Sequence, residues 1–272
     1  VARYGGDIKQ YEPLDSIPGP GYPVVAVPTT AGTGSEVTQW AVITDTSTHR
    51  KMALGSPHLI PKIAVLDPAV TTTLPPELTA YTGLDALTHA LEAYTATVAH
   101  PVADAFCLQA IRLVAENLRA AVSDGQDLGA RSGMTLAAVF GGYAINFSDV
   151  AGAHCLAEAL GSKYPVPHGL ACAVFLVPVT EYNLPAAVDR YAQAARALGV
   201  ERQSSEEATA RAGLDYLKHL CAGLNLPSLR TLGVKREDLS EIAKLAATNV
   251  SVPSNPRPVD EKAFLEILLA SY

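Results

Sequence analysis

Thr82-Gly-Leu-Asp-Ala-Leu-Thr-His-Ala-Leu-Glu-Ala-Tyr94 is a mostly apolar stretch that predicts the start of a buried helix. Asp85 and His89 are four residues apart within it, so on an α-helix their side chains share one face, one turn apart. A carboxylate and an imidazole are costly to bury without partners. The stretch therefore predicts that the two side chains either pair with each other or bind a metal ion together with ligands from elsewhere.

Composition restricts the classes of protein to which the chain can belong. Its 272 residues are enough for one large domain or two small ones, and 49% of them are hydrophobic, which allows a substantial core. The formal net charge of -7 argues against nucleic acid as the main partner, because binding to phosphates needs a basic surface.

The sequence also carries expectations about location. No apolar run approaches the length of a membrane span and no basic-then-apolar leader opens the chain, so we expect neither a membrane partner nor secretion. The four cysteines are scattered and form no Cys-x-x-Cys pair. This favours free thiols over a disulfide framework, and with it a cytoplasmic location.

The residue pattern changes near residue 70 and predicts two parts of different class. Residues 1–70 contain short apolar runs separated by turns, which are typical of strands, whereas residues 71–272 have helical periodicity nearly throughout. The expected strands are 23–27, 41–44, 51–54 and 62–66. The expected helices are roughly 77–97, 101–122, 127–147, 150–162, 170–182, 185–198, 204–223, 235–248 and 259–271. We therefore predict a mainly α fold, with a helical domain after a partial α/β segment.

A loop rich in glycine and hydroxyl side chains follows the first predicted strand, Pro28-Thr-Thr-Ala-Gly-Thr-Gly-Ser-Glu-Val-Thr38. Glycine lets the backbone come close to a ligand, and hydroxyl and N–H groups donate hydrogen bonds to it. Such a loop after a strand indicates binding to phosphate or sugar groups. An ordinary polar connection between strands has the same pattern, and the loop alone does not distinguish the two.

Three of the seven histidines lie in apolar surroundings: His89, His154 and His168. The other four are expected to be solvated: His49, His58, His100 and His219. A helix, a tight turn and a second helix can bring the imidazoles of His154 and His168 to one point beside Asp85. One carboxylate with three imidazoles suits Fe²⁺ or Zn²⁺ better than Mg²⁺ or Ca²⁺. The spacing leaves open a second interpretation, in which the buried histidines only hydrogen-bond to backbone carbonyls.

Three motifs of the chain resemble, in order, those of the iron-containing (group III) alcohol dehydrogenases. Residues 28–38 are similar to the family's loop on the nicotinamide side, and Gly83–Tyr94 is similar to its first metal motif. His154 together with Pro167-His168-Gly169 is similar to its second metal motif, and Ser254-Asn-Pro-Arg257 resembles a family ending. The match runs over essentially the whole chain and favours the metal site over the backbone-bonded histidines.

The resemblance implies a dehydroquinate synthase-like α domain over residues 71–272, after the remnant of a dinucleotide-binding domain in 1–70. It implies one divalent ion, Fe²⁺ or Zn²⁺, and a homo-oligomer. It implies hydride transfer between NAD or NADP and a small alcohol, whose oxygen the ion polarises to give the aldehyde or ketone. The implied metal ligands are Asp85, His89, His154 and His168. The implied cofactor contacts are Thr29, Thr30, Gly32, Thr33, Gly34 and Lys51.

The chain departs from the family pattern at its start. Family members begin with an α/β half that carries a Gly-Gly-Gly-Ser loop for the pyrophosphate, and the sequence contains no such loop. We interpret the chain as a fragment of a longer protein. Without that loop, we expect the isolated chain to bind NAD(P)H very weakly, and whether it is active by itself stays open.

A second departure falls one helical turn after His154. Many family members carry a further histidine there, thought to relay a proton, whereas this chain has Glu158. A carboxylate on the same helix face as His154 can serve as the acid–base group or approach the metal. The alternative is that Glu158 pairs with a cation such as Lys163 and takes no part.

Two other functions compete with alcohol oxidation. One is a lyase that shares the fold, as dehydroquinate synthase does. Its sugar-acid phosphate would need several Lys and Arg residues around the pocket, and the segments near the predicted ligands contain few. The other is a non-catalytic helical remnant, which would have no reason to keep four ligands at family spacing.

Overall fold

Nine α-helices and four short strands form the part of the chain that the computed structural model describes, residues 1–48 and 50–272. His49, for which exposure to solvent is predicted, lies outside the described residues. The strands are β1 (Val25–Ala26), β2 (Trp40–Asp45), β3 (Arg50–Gly55) and β4 (Ile63–Ala64). The helices are α1 (Pro76–Thr95), α2 (Pro101–Ser123), α3 (Leu128–Phe147), α4 (Gly152–Lys163), α5 (His168–Asn183), α6 (Val188–Ala197), α7 (Glu206–Gly223), α8 (Leu239–Ala246) and α9 (Glu261–Ala270). The predicted fold class is confirmed.

The strands form two small sheets. β1 and β4 pair in parallel, and β2 and β3 form an antiparallel pair in which Trp40 lies opposite Gly55 and Thr44 opposite Lys51. The Lys51 Nζ donates a hydrogen bond of 2.8 Å to the Thr44 Oγ1 across this pair. The antiparallel pair thereby fixes the position of the lysine at the edge of the cavity described below.

Side chains that accept hydrogen bonds from free backbone N–H groups cap the starts of two helices, α7 and α9. The Ser205 side chain accepts a hydrogen bond from the backbone N–H of Ala208 at 3.0 Å, and the Asp260 side chain accepts one from Ala263 at 2.9 Å. These caps satisfy N–H groups that have no partner within the helix, which sets the starts of α7 and α9. The helix α4 lacks such a cap of its own.

The helix α1 lies at the centre of the helical part, with every residue from Gly83 to Thr95 buried. Small residues let its neighbours approach closely. A Cβ atom on Gly83 would lie 2.4 Å from a methyl group of Leu118 on α2, so the glycine is needed for this contact. Polar side chains on α1 are therefore far from bulk water and depend on neighbouring helices for partners.

The segment that joins α5 to the 3-10 turn Leu184–Ala186 differs from one expectation. Among the described residues, His168–Ala186 is long and apolar enough for a membrane span, with a mean hydropathy of 1.2. The expectation that no apolar run approaches that length is therefore wrong. A buried core helix meets the same criteria, and 56% of this window is buried within the fold, so the segment is weak evidence for a membrane span. The four cysteines are free, as predicted.

Candidate metal centre

Three helices bring the predicted metal ligands together. Asp85 and His89 lie on α1, His154 lies on α4, and His168 is the first residue of α5. The Asp85 Oδ1 is 3.8 Å from the His154 Nε2 and 3.7 Å from the His168 Nε2. The His89 Nε2 is 3.1 Å from the His154 Nε2. The first three side chains are buried and His168 is partly open, so the cluster is accessible from one side.

The hydrogen bonds around the cluster determine which ring nitrogens carry protons. The His89 Nδ1 lies 3.0 Å from the Asp85 backbone carbonyl, and the His154 Nδ1 lies 2.7 Å from the Glu92 Oε2. Both oxygens can only accept, so we assign an N–H to each Nδ1. In the neutral rings the two Nε2 atoms then carry lone pairs that face each other.

The Asp85 carboxylate completes a set of donor atoms that suits a cation. Its Oδ1 is buried and has no hydrogen-bond partner among the described residues. A buried carboxylate oxygen without a partner is costly, and so are two facing lone pairs. A carboxylate with three imidazoles fits a divalent ion such as Fe²⁺ or Zn²⁺. A metal ion or a proton would relieve the contact between the two nitrogens.

Sequence reasoning missed two neighbours of the cluster, Cys172 and Glu92. The ligand atoms of Asp85, His154, His168 and Cys172 lie within 4.8 Å of one another. Burial raises the pKa of the Cys172 thiol, and the Asp85 carboxylate adds to this, which favours the thiol over the metal-binding thiolate. The signals were present, because Cys172 follows His168 by four residues and Glu92 follows His89 by three.

The pKa values of the three imidazoles in the cluster are shifted in different directions. Burial lowers the pKa of His89 to about 4 and also lowers the pKa of His168, with Asp85 opposing the shift in both. For His154, burial acts to lower the pKa, but the hydrogen bond to Glu92 and the charges of Glu92, Asp85 and Glu158 together outweigh it and raise the pKa. Burial also acts to raise the pKa of Asp85, but the nearby imidazoles outweigh it and hold that pKa below its usual value.

We expect metal binding to release a proton from His154 at pH values below its raised pKa. Protonation of His154 stabilises the folded, metal-free protein because its pKa is higher in the folded protein than in the unfolded chain. This stabilisation is complete below the pKa of the unfolded chain and is lost as the pH rises through the pKa of the folded protein. A metal ion must displace that proton, so the apparent metal affinity should rise with pH. Calorimetric titration with Zn²⁺ in buffers of different ionisation enthalpy measures the release. An affinity that is independent of pH across this range would contradict the prediction.

The loop over residues 28–38 lies against α1 and α3. Gly34 has a φ of +62°, and a Cβ atom there would lie 2.4 Å from the backbone carbonyl of Ala138 on α3. The Asn146 side chain holds the end of the loop, donating to the Val37 carbonyl at 2.8 Å and accepting from the Gln39 N–H at 2.9 Å. The glycine and the asparagine together hold the loop against α3.

A cavity of about 520 Å³ connects this loop with the metal cluster. Three of the predicted ligands line it, as do two of the predicted cofactor contacts, Thr33 and Lys51. Gly32 and Gly34 are buried within the loop, where they allow its close packing. Thr29 and Thr30 are exposed and lie outside the described lining. The cavity thus brings together part of each predicted site.

Glu158 lines the same cavity, but it does not pair with Lys163. The ammonium group of Lys163 pairs instead with Asp238, at 2.9 Å, and with Glu241. The Glu158 Oε2 accepts a hydrogen bond of 2.7 Å from the Asn249 Nδ2. The interpretation of Glu158 as a partner of Lys163 is therefore wrong, and its carboxylate is oriented at the cavity wall.

Comparison with known proteins identifies the family. Residues 79–272 match the Fe-containing alcohol dehydrogenase family, C-terminal, and residues 1–68 match iron-containing alcohol dehydrogenase. The chain belongs to the iron-containing alcohol dehydrogenase family.

Relatives of this chain carry several different names. It is 38% identical to a choline dehydrogenase of Bacillus subtilis, over 97% of this chain and 66% of the relative. It is 38% identical to an NAD-dependent methanol dehydrogenase of Bacillus methanolicus, over 98% of this chain and 71% of the relative. A crystal structure of 1,3-propanediol oxidoreductase superimposes with a TM-score of 0.96 at 39% identity, covering 100% of this chain and 72% of that one. The chain thus spans about two thirds of the length of this choline dehydrogenase.

Proposed function

We propose that the protein is the metal-binding part of an NAD(P)-dependent oxidoreductase that interconverts a small alcohol and its aldehyde or ketone. The observation that carries the proposal is the buried Asp85 Oδ1, which has no hydrogen-bond partner among the described residues and faces imidazole nitrogens beside an open cavity. We assign Asp85, His89, His154 and His168 as ligands of one Fe²⁺ or Zn²⁺ ion. When bound, such an ion acts as a Lewis acid toward an alcohol or carbonyl oxygen.

The loop over residues 28–38 supports the cofactor part of the proposal. Thr33 and Lys51 line the cavity that contains the imidazoles, so a nicotinamide ring bound there would lie beside the substrate. We propose that Lys51, held by Thr44, donates to the cofactor ribose. We propose Thr29, Thr30, Gly32 and Gly34 as further contacts along the dinucleotide. A relative named for its NAD dependence favours this cofactor class.

Glu158 is the proposed acid–base group. It lies one helical turn after His154, and Asn249 orients its carboxylate at the wall of the cavity. A carboxylate in that place can exchange a proton with the alcohol oxygen, directly or through a water molecule. The hydrogen bond from Asn249 uses one oxygen, and the structure records no hydrogen bond to the other from a described residue.

The cavity wall favours a small alcohol over a sugar-acid phosphate. Among its described lining residues, Lys51 is the one lysine or arginine, and its ammonium group already contacts Thr44. Apolar side chains line other parts of the wall, including Ile145, Val150 and Val166. This disfavours a dehydroquinate synthase-like substrate, because phosphate binding needs several cationic donors. The family resemblance supports a homo-oligomer, and the free thiols support a cytoplasmic location.

Elemental analysis of protein purified without oxygen tests the metal site. We expect one iron or zinc ion per chain, and its loss in His168→Ala, which removes a ligand from the open side of the cluster. His219→Ala is the matched control, because this imidazole is exposed on α7 and should leave the metal content unchanged. Wild-type protein that stays metal-free after incubation with Fe²⁺ or Zn²⁺ would favour the non-catalytic remnant instead.

A further inference from the structure

Glu92 contacts His154 of the metal cluster and is not among the described residues that line the cavity. Its side chain is 5% exposed, and it points from α1 toward the start of α4. One helical turn before it on the same helix lies His89, and two turns before it lies Asp85. The carboxylate therefore belongs to the same helix face as two of the proposed ligands, although it is too deep to contact a substrate in the cavity.

Four donors converge on the Glu92 carboxylate. The backbone N–H groups of Ala151, Ala153 and His154 donate to it at 2.9, 2.6 and 3.4 Å. The fourth donor is the Nδ1 of His154, at 2.7 Å from the Oε2. Because α4 has no capping side chain of its own, Glu92 acts as its cap from another helix.

We propose that Glu92 is a positioning residue that prepares His154 for the metal before the metal arrives. By accepting the Nδ1–H, the carboxylate holds the imidazole in the tautomer whose Nε2 lone pair faces Asp85 and His89. By capping α4, it fixes the backbone from which that imidazole extends. Carboxylates that accept from the second nitrogen of a ligating histidine orient the ring and increase its basicity as a ligand.

The two contributions of Glu92, to the ring and to the helix, can be separated. Asn255 also anchors the start of α4, since its Oδ1 accepts from the Gly152 N–H at 3.1 Å. The other hydrogen bonds of its side chain among the described residues join it to Asn183 and the Arg257 carbonyl, and none involves an imidazole. Asn255→Ala therefore loosens the helix start and leaves the tautomer of His154 alone, which makes it the matched control.

The test compares Zn²⁺ and Co²⁺ dissociation constants of the wild type, Glu92→Gln and Asn255→Ala. A carboxamide cannot accept from all four donors, so we expect Glu92→Gln to weaken metal binding by about 10- to 100-fold, the usual effect of losing such a partner. Asn255→Ala should weaken it much less. Equal losses in the two variants, or no loss in Glu92→Gln, would overturn the proposal.

A second measurement keeps the proposal testable if Glu92→Gln does not fold. Nitrogen-15 NMR of the metal-free wild type, at about pH 9 where imidazole is neutral, should show His154 protonated at Nδ1 and not at Nε2. The opposite tautomer would overturn the proposal. The inference rests on the proposed metal site, but the two can fail separately. If the wild type binds no metal, the proposed function is contradicted. If metal binding does not depend on Glu92, only this inference is contradicted.

Discussion

Asp85→Asn should abolish stable binding of a divalent metal. The substitution keeps the size of the side chain, but it replaces the charged Oδ1, which faces the His154 and His168 nitrogens and has no hydrogen-bond partner in the described part of the chain. Loss of a carboxylate that binds the metal directly should weaken metal binding more than loss of a group that hydrogen-bonds to a metal ligand. We therefore expect the dissociation constant for Zn²⁺ to rise by more than about 100-fold. The proposed alcohol oxidation should fall with the metal content.

Asp149→Asn is the matched control for this effect. Asp149 lines the same cavity and carries the same charge, but its oxygens accept hydrogen bonds from the hydroxyls of Ser251 and Ser254. If the charge of the cavity alone attracted the metal, both variants should weaken binding alike. We expect Asp149→Asn to bind Zn²⁺ nearly as well as the wild type. Full metal content in Asp85→Asn would exclude the proposed ligand set.

Gly34→Ala should destabilise the protein and displace the loop over residues 28–38. Alanine at a φ of +62° is strained, and its Cβ atom would lie 2.4 Å from the Ala138 carbonyl, a backbone atom that cannot rotate away. We expect a loss of more than about 2 kcal/mol in the free energy of unfolding. Thermal unfolding followed by circular dichroism should show a fall in the melting temperature of at least about 4 °C.

Gly223→Ala provides the comparison for this substitution. Gly223 ends α7 without a positive φ, and no atom lies within 4 Å of a Cβ built there. Alanine has the higher helix propensity, so the melting temperature should stay the same or rise slightly. An unchanged melting temperature for Gly34→Ala as well would show that the loop is not held against α3 as described.

The sequence predicted the helices well because their signals are local. Apolar periodicity placed all nine within a few residues of their observed bounds, and Ser205 and Asp260 are residue types that favour helix starts. The four proposed ligands were found for a related reason. The pair Asp85 and His89 has helical spacing, and the short connection between α4 and α5 limits how far His154 and His168 can separate.

Contacts between distant segments could not be predicted in the same way. Glu92 resembles any polar residue near the end of a helix, and its role depends on the start of α4, about sixty residues later. The partner of Glu158 was misjudged because Lys163 is near in sequence, whereas Asn249 is near in space. Residue spacing on one helix shows which side chains share a face, but not which groups of another helix lie opposite.

The metal cluster and the cavity wall come from different parts of the chain. The proposed ligands belong to α1, α4 and the first residue of α5, whereas apolar wall positions include Val42 on β2, Ile145 on α3, Val166 between α4 and α5, and Val250 after α8. Substitutions at these wall positions can therefore accumulate during evolution without disturbing the ligands. Such substitutions at the cavity wall can change which alcohol a member of the family prefers, while the residues that bind the metal stay the same.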